Sequence, residues 1–187
     1  MMLSDLHFDI KQLNHSMASR AKAVALVIDH PEVLPEIIQN AYAANKNHVK
    51  YCWWLEFLNR QDIEILCPFI DNILKGAKQL TSDSAIRPMA KIIETFVLNN
   101  YGEQTHKSVA KMMTFSVKEE MVSLSFLWLI DEKIKVASQA YSMTSLYHLG
   151  KDIDWVHKEL GIVVEQNYAF GSAAYKARAR MVLNKLK

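Results

Sequence analysis

The residue types best suited to chemistry lie in Asp152-x-Asp154-x-x-His157-x-Glu159, where three acids and an imidazole share one short run. On a helix, Asp154 and His157 stand at i and i+3 and can share a metal ion. A metal site needs three or four convergent donors, and the chain has neither an HExxH run nor paired cysteines. Capping of a helix start by Asp152 or Asp154 is therefore the preferred reading. No metal and no cofactor are expected. The other histidines show no ligand spacing. Cys52 and Cys67 form no CxxC pair, sit among apolar residues and lack a recognisable neighbouring base, so they read as small buried hydrophobes. Serines occur without a GxSxG elbow, and there is no glycine-rich phosphate loop. No catalytic residue is assigned.

The aromatic residues are the second candidates. Trp53 and Trp54 are adjacent, hence 100° apart on a helix, so both need not face a core. One of them is a candidate stacking platform for a base or an anchor for a partner; the alternative is that both are wedged between helix layers.

The elements that position these groups are helices. The chain has 187 residues, 50% apolar and 22% charged, with only five glycines and four prolines. Scarce glycine and proline, with no alternating β-branched runs, point to an all-α chain with short connections, one domain over residues 1–187. The spacing predicts a lead-in helix at Leu3–Leu13 and then Ser16–Asp29, with Ser16 as N-cap. Pro31–Ala44 opens on a proline at the first helical position. Asn47–Arg60 follows, then Asp62–Leu80, with a bend at Pro68 and Gly76 as a possible early stop. Ser82–Tyr101 carries Ile86, Met89, Ala90, Ile93, Phe96 and Val97 on one stripe and ends at Gly102. Glu103–Phe115 reads as an irregular insertion. Ser116–Glu132 begins with a Ser116/Glu119 capping box. Lys133–Leu149 ends at Gly150, Asp152–Phe170 at Gly171, and Ser172 caps Ser172–Lys187. Connections this short force antiparallel neighbours.

The helices also repeat. Residues 30–40 align with 157–167 at a constant offset of 127, with His, Glu, Gln and Asn coinciding. Second helices open on Val49-Lys50, Ile86-Arg87 and Tyr175-Lys176, while Val136 has Lys135 before it. Anchors at 49, 86, 136 and 175 are 37, 50 and 39 residues apart. A period of roughly 40–47 residues per helical pair is that of HEAT and armadillo repeats. With Pro31 near the start of a first helix and the V/I-K/R entry into second helices, the chain resembles a HEAT-like or armadillo-like protein. That resemblance implies an α-α superhelix of about four and a half hairpins. A globular bundle with chance matches is the alternative. Two departures stand out: Asp is missing at the usual second-helix entry, and Pro88 lies in the first turns of the central helix. The runs SAIRPMAKI (Ser84–Ile92), AYSMTSLYHLGKDIDWVH (Ala140–His157) and AAYKARAR (Ala173–Arg180) also resemble a small group of bacterial proteins of this length. Some of these carry the label adenylosuccinate lyase. Lyases of that superfamily have a serine loop of the GSSxMPxKxN type, which this chain lacks.

Charge separates between the layers. The four first helices hold 13 acids and 4 bases; the five second helices hold 4 acids and 13 bases. In a solenoid, second helices line the concave face, so the expectation is a basic groove opposite an acidic back. Its contributors are Arg20, Lys22, Lys50, Arg87, Lys91, Lys133, Lys135, Lys176, Arg178 and Arg180. Most sit at helix starts, where the macrodipole disfavours cations. The expected function is a non-enzymatic binding scaffold for an acidic protein or peptide, with nucleic acid as another possible partner. The alternative is a nucleic-acid enzyme resembling the HEAT-like alkylation-repair glycosylases, which use a Trp and a carboxylate on a basic concave face. Glu56 and Glu94 are the second-helix acids that would serve, Glu56 beside Trp53 or Trp54. Net charge is only +2, too mild to imply nucleic acid by itself. No apolar run approaches the ~18 residues of a membrane span, the N-terminus lacks a signal-peptide pattern, and no disulfide framework appears, so a cytoplasmic protein is expected.

Overall fold

The computed structural model describes residues 2–102 and 105–187. Met1, Glu103 and Gln104 lie outside the described residues, so the expected insertion is described from Thr105 onward. Among the described residues all regular structure is helical, with ten α-helices, four 3-10 segments and no strand. The chain divides into two compact units, residues 1–89 and 90–187.

In the first unit the lead-in forms two 3-10 turns, Leu3–Leu6 and Ile10–Gln12, rather than one helix. Then come α1 (Met17–Asp29), α2 (Leu34–Tyr42), α3 (His48–Gln61) and α4 (Ile70–Ala77). Ser16 caps α1 by accepting the Ser19 amide at 3.2 Å. The expected helix from Asp62 begins instead as a 3-10 segment, Ile63–Phe69, and becomes α-helical only past Pro68. Pro68 lies inside this segment, and its ring disfavours α-helical backbone at the residue before it. Helix α2 packs on both α3 and α4, while α1 packs on α3. Trp54 is the hub of this core. It is fully buried, its Nε1 donates to the Ala23 carbonyl at 2.9 Å, and Phe8 packs on it with ring centroids 4.4 Å apart. Gly76 is not a stop but a contact inside α4: a Cβ there would lie 2.2 Å from Cδ2 of Tyr42, whose hydroxyl donates to the Met89 sulfur at 3.2 Å.

Helix α5 (Asp83–Tyr101) contributes its start to the first unit and the remainder to the second. It runs through the buried Pro88. The missing N–H leaves the Ser84 carbonyl without its intrahelical partner. Ser84 is exposed, so water can serve that oxygen.

The second unit adds α6 (Lys107–Met112), α7 (Phe115–Ile130), α8 (Val136–Leu149), α9 (Trp155–Tyr168) and α10 (Ala173–Leu186). Thr114, not Ser116, caps α7, accepting the Val117 amide at 3.3 Å, so the cap lies two residues earlier than the capping-box pattern implies. Ser172 caps α10 as expected, 3.2 Å from the Tyr175 amide. Helix α8 touches α7, α9 and α10. Three serines on its buried side, Ser138, Ser142 and Ser145, are small enough to admit neighbours from several directions. Gly150 ends α8 with right-handed backbone, φ −65°, so no left-handed cap explains it. The His157 ring does: a Cβ on Gly150 would lie 2.1 Å from its Cδ2.

Candidate functional site

The expected basic residues divide between the units. In the first, Arg20 is half-buried on α1 with its guanidinium 5.8 Å from the Phe57 ring centroid. It shares a cleft of about 260 Å³ with Arg60. Lys22 is exposed at the edge of a second cleft, about 250 Å³, beside His7 and Asp9. Lys50 is half-buried, and its ammonium donates to the Lys11 carbonyl, tying α3 to the lead-in. Arg87 is exposed on α5. Trp54 offers no open face, being wholly core; Trp53 is half-buried, 4.3 Å from the His15 ring. Glu56 is paired with Arg60 at 2.9 Å.

The second unit brings its candidates together more closely. Lys91 on α5 pairs with the buried Glu94 at 2.7 Å and lies 4.9 Å over the Tyr141 ring of α8. One turn along α8, Thr144 accepts from Arg178 of α10 at 2.7 Å. Helices α5, α8 and α10 thus share one run of polar side chains. Lys133 and Lys135 fall in the connection before α8, not in the helix; both are exposed. Lys176 is half-buried and Arg180 exposed on α10.

Further along the same helices is a cluster built at their C-terminal ends. Tyr101 closes α5, Tyr147 and His148 lie in the last turn of α8, and Lys185 lies in the last turn of α10. The connection after α8 supplies Lys151 and Asp152, and α7 supplies Lys118. Asp152 Oδ2 accepts from the Tyr101 hydroxyl at 2.6 Å and from Lys118 at 2.5 Å. Asp152 is thus held by Tyr101 and Lys118 rather than capping a helix, and Asp154 makes no side-chain cap on α9. The Lys118 ammonium, and then the Tyr101 hydroxyl, hold the Asp152 carboxyl below its ordinary range. Burial, reinforced by Asp152, raises the Tyr101 phenol. Lys151 lies 5.6 Å from the Tyr101 ring centroid and 5.9 Å from that of Tyr147; Lys185 lies 5.2 Å from Tyr147. Burial first, then Lys151 and Lys185, push the His148 imidazole down to about 4, so it is neutral near pH 7. His157 stacks 5.7 Å from the Tyr147 ring, its Nε2 2.7 Å from the Tyr147 carbonyl oxygen.

Chemically the cluster is an array of ammonium groups over aromatic rings. Asp152 is the carboxylate that pairs with Lys118, and among the described residues neither Lys151 nor Lys185 has an ion-pair partner. Lysine near a helix C-terminus is itself favoured, by about 0.3–1 kcal/mol. Tyr101, Lys118, Tyr147, His148, Lys151 and Lys185 were not among the expected site residues. One signal for them was available: Tyr141 to Arg178 and His148 to Lys185 are both separations of 37, the same as the first repeat spacing. No run in the sequence marks the pairing of Tyr101 with Asp152.

Among the described residues no group of three His, Cys, Asp or Glu is placed to hold a metal ion. No helix is long and apolar enough to cross a membrane among those residues. Both thiols are buried, and burial pushes Cys52 up to about 12 and Cys67 up to about 11. No family model matches the chain, and neither a curated protein nor a solved structure matches it.

Proposed function

We propose that the chain is a binding scaffold of HEAT or armadillo type, its hairpins stacked as a superhelix, and that its second helices hold an acidic protein segment. The observation that carries this reading is the cluster of Lys118, Lys151 and Lys185 around Tyr101 and Tyr147, where Asp152 offsets one of three cations. An acidic peptide needs both components: ammonium groups for its carboxylates and ring faces for the methylenes between them. Lys91 and Arg178 extend the same face along α5, α8 and α10. The stacking of α8 on α10, and of α1 on α3, supports the repeat reading, since in a superhelix second helices pack on second helices.

The glycosylase-type alternative requires a tryptophan and a free carboxylate on one open face. Glu56 and Glu94 are each paired to a cation on their own helix, and Trp54 is core. Incubation with adenylosuccinate tests the lyase reading directly.

The scaffold reading is tested by fluorescence anisotropy with a labelled glutamate-rich peptide at low salt. Lys151→Glu combined with Lys185→Glu should weaken binding by roughly tenfold, about 1.4 kcal/mol. Unchanged affinity in that variant would overturn the assignment. A labelled duplex provides the competing outcome. Binding that beats the peptide and falls with salt at a slope of about −0.9 per neutralised phosphate would make the partner a nucleic acid.

A further inference from the structure

The face of the second unit built by the first helices has a different character. Helices α7 and α9 leave a cleft of about 480 Å³ between them. Phe126 and Trp155 stand in it with ring centroids 5.7 Å apart and planes 18° from parallel, and Ile130 and Val163 extend the apolar lining. Trp155 is 55% exposed and Ile130 56% exposed, a large apolar area to leave in water. The charged residues lining the cleft are Glu119 and Glu159, both exposed and neither ion-paired among the described residues. The nearby cations do not line it: Lys118 is held by Asp152, and Lys158 is 100° round α9 from Glu159. On α7 the lining runs from Glu119 to Ile130, a length of about 16 Å at 1.5 Å per residue. That is three turns of a helix.

We infer that this cleft is a second docking site, taking a basic amphipathic helix from a partner protein. Its apolar face would cover Phe126, Trp155, Ile130 and Val163, and its lysines or arginines would meet Glu119 and Glu159. This is helix-in-groove recognition with acidic gatekeepers. The site does not depend on the face carrying Lys151 and Lys185, and its occupant has the opposite charge.

Trp155 reports on the test, because Trp54 and Trp128 are buried and Trp53 is half-buried. The probe is a synthetic Leu/Lys amphipathic helix of about 14 residues, roughly 21 Å long, titrated at low and at physiological salt. The expected result is a blue shift of tryptophan emission that disappears in Trp155→Phe, while anisotropy of a labelled probe still shows binding to that variant. Glu119→Lys combined with Glu159→Lys, both at exposed positions, should reduce affinity for the Leu/Lys helix at least about tenfold. The same variant should gain affinity for a Leu/Glu helix of equal length. Absence of an emission shift, or equal affinity in the charge-reversed variant, would overturn the inference. So would a concentration-dependent dimer of the free protein that loses its self-association in Trp155→Ala, since the occupant would then be a second copy.

Discussion

Replacing His148 by phenylalanine should flatten the acid dependence of stability. In the fold the imidazole sits 5.1 Å from the Tyr147 ring and 5.9 Å from the Tyr101 ring, with Nδ1 buried and unpartnered. Burial, Lys151 and Lys185 lower it from an ordinary 6.5 to about 4. The unfolded chain therefore takes up a proton on this side chain below about pH 6.5, while the folded chain resists until about pH 4. Stability is intact above that window, falls as pH drops through it, and loses nothing further from this group below it. A shift of about 2.5 units corresponds to at most about 3.4 kcal/mol. The side chain is only half-buried, so solvent screening reduces the expected contribution to about 1–2 kcal/mol. Urea unfolding at about pH 7 and pH 4.5, for parent and His148→Phe, measures it by linear extrapolation. The parent should lose about 1–2 kcal/mol more than the variant on acidification. Phenylalanine keeps the aromatic packing, so a variant that loses just as much would show that the imidazole titrates normally and would refute the reasoning.

Four further outcomes rest on packing and burial. Gly150→Ala forces a Cβ to 2.1 Å from the His157 ring, which is held by the Tyr147 carbonyl; it should cost about 1–3 kcal/mol in urea unfolding, and His157→Ala in the same chain should recover part of it. Gly76→Ala, meeting the Tyr42 ring at 2.2 Å, should cost a similar amount. Trp54→Phe keeps most of the buried ring but removes the bond to the Ala23 carbonyl, a loss of about 1–2 kcal/mol, whereas the same change at the half-buried Trp53 should cost less. Cys52, fully buried and with its thiol raised to about 12, should resist a thiol reagent at about pH 8 in native protein and react once urea unfolds the chain.

Much of the helical framework was legible because its causes are local. The 3.6-residue stripe of Ser82–Tyr101 reappears as α5, and Ser16 and Ser172 cap the helices they precede. A cap needs only an oxygen three residues before an amide, so neighbouring residues specify it. The start of α7 was not legible in this way: the capping-box pattern pointed to Ser116, but Thr114 caps the helix and Ser116 falls inside its first turn. The segment after Asp62 shows the limit of periodicity, since its apolar spacing suits an α-helix but it forms a 3-10 segment that contains Pro68.

The candidate sites depend on contacts far apart in the chain. Sequence alone determined that the chain is helical and where many of its helices begin, because periodicity, proline and capping are properties of neighbours. Only tertiary structure decided which of two adjacent tryptophans is core and that Gly150 serves the His157 ring rather than a left-handed turn. It also decided that Asp152 meets Tyr101 and Lys118, 51 and 34 residues away. The physical reason is that burial and electrostatic environment are set by what packs around a group. The neutrality of His148 and the exposure of Trp155 come from neighbours on other helices, which no local spacing records.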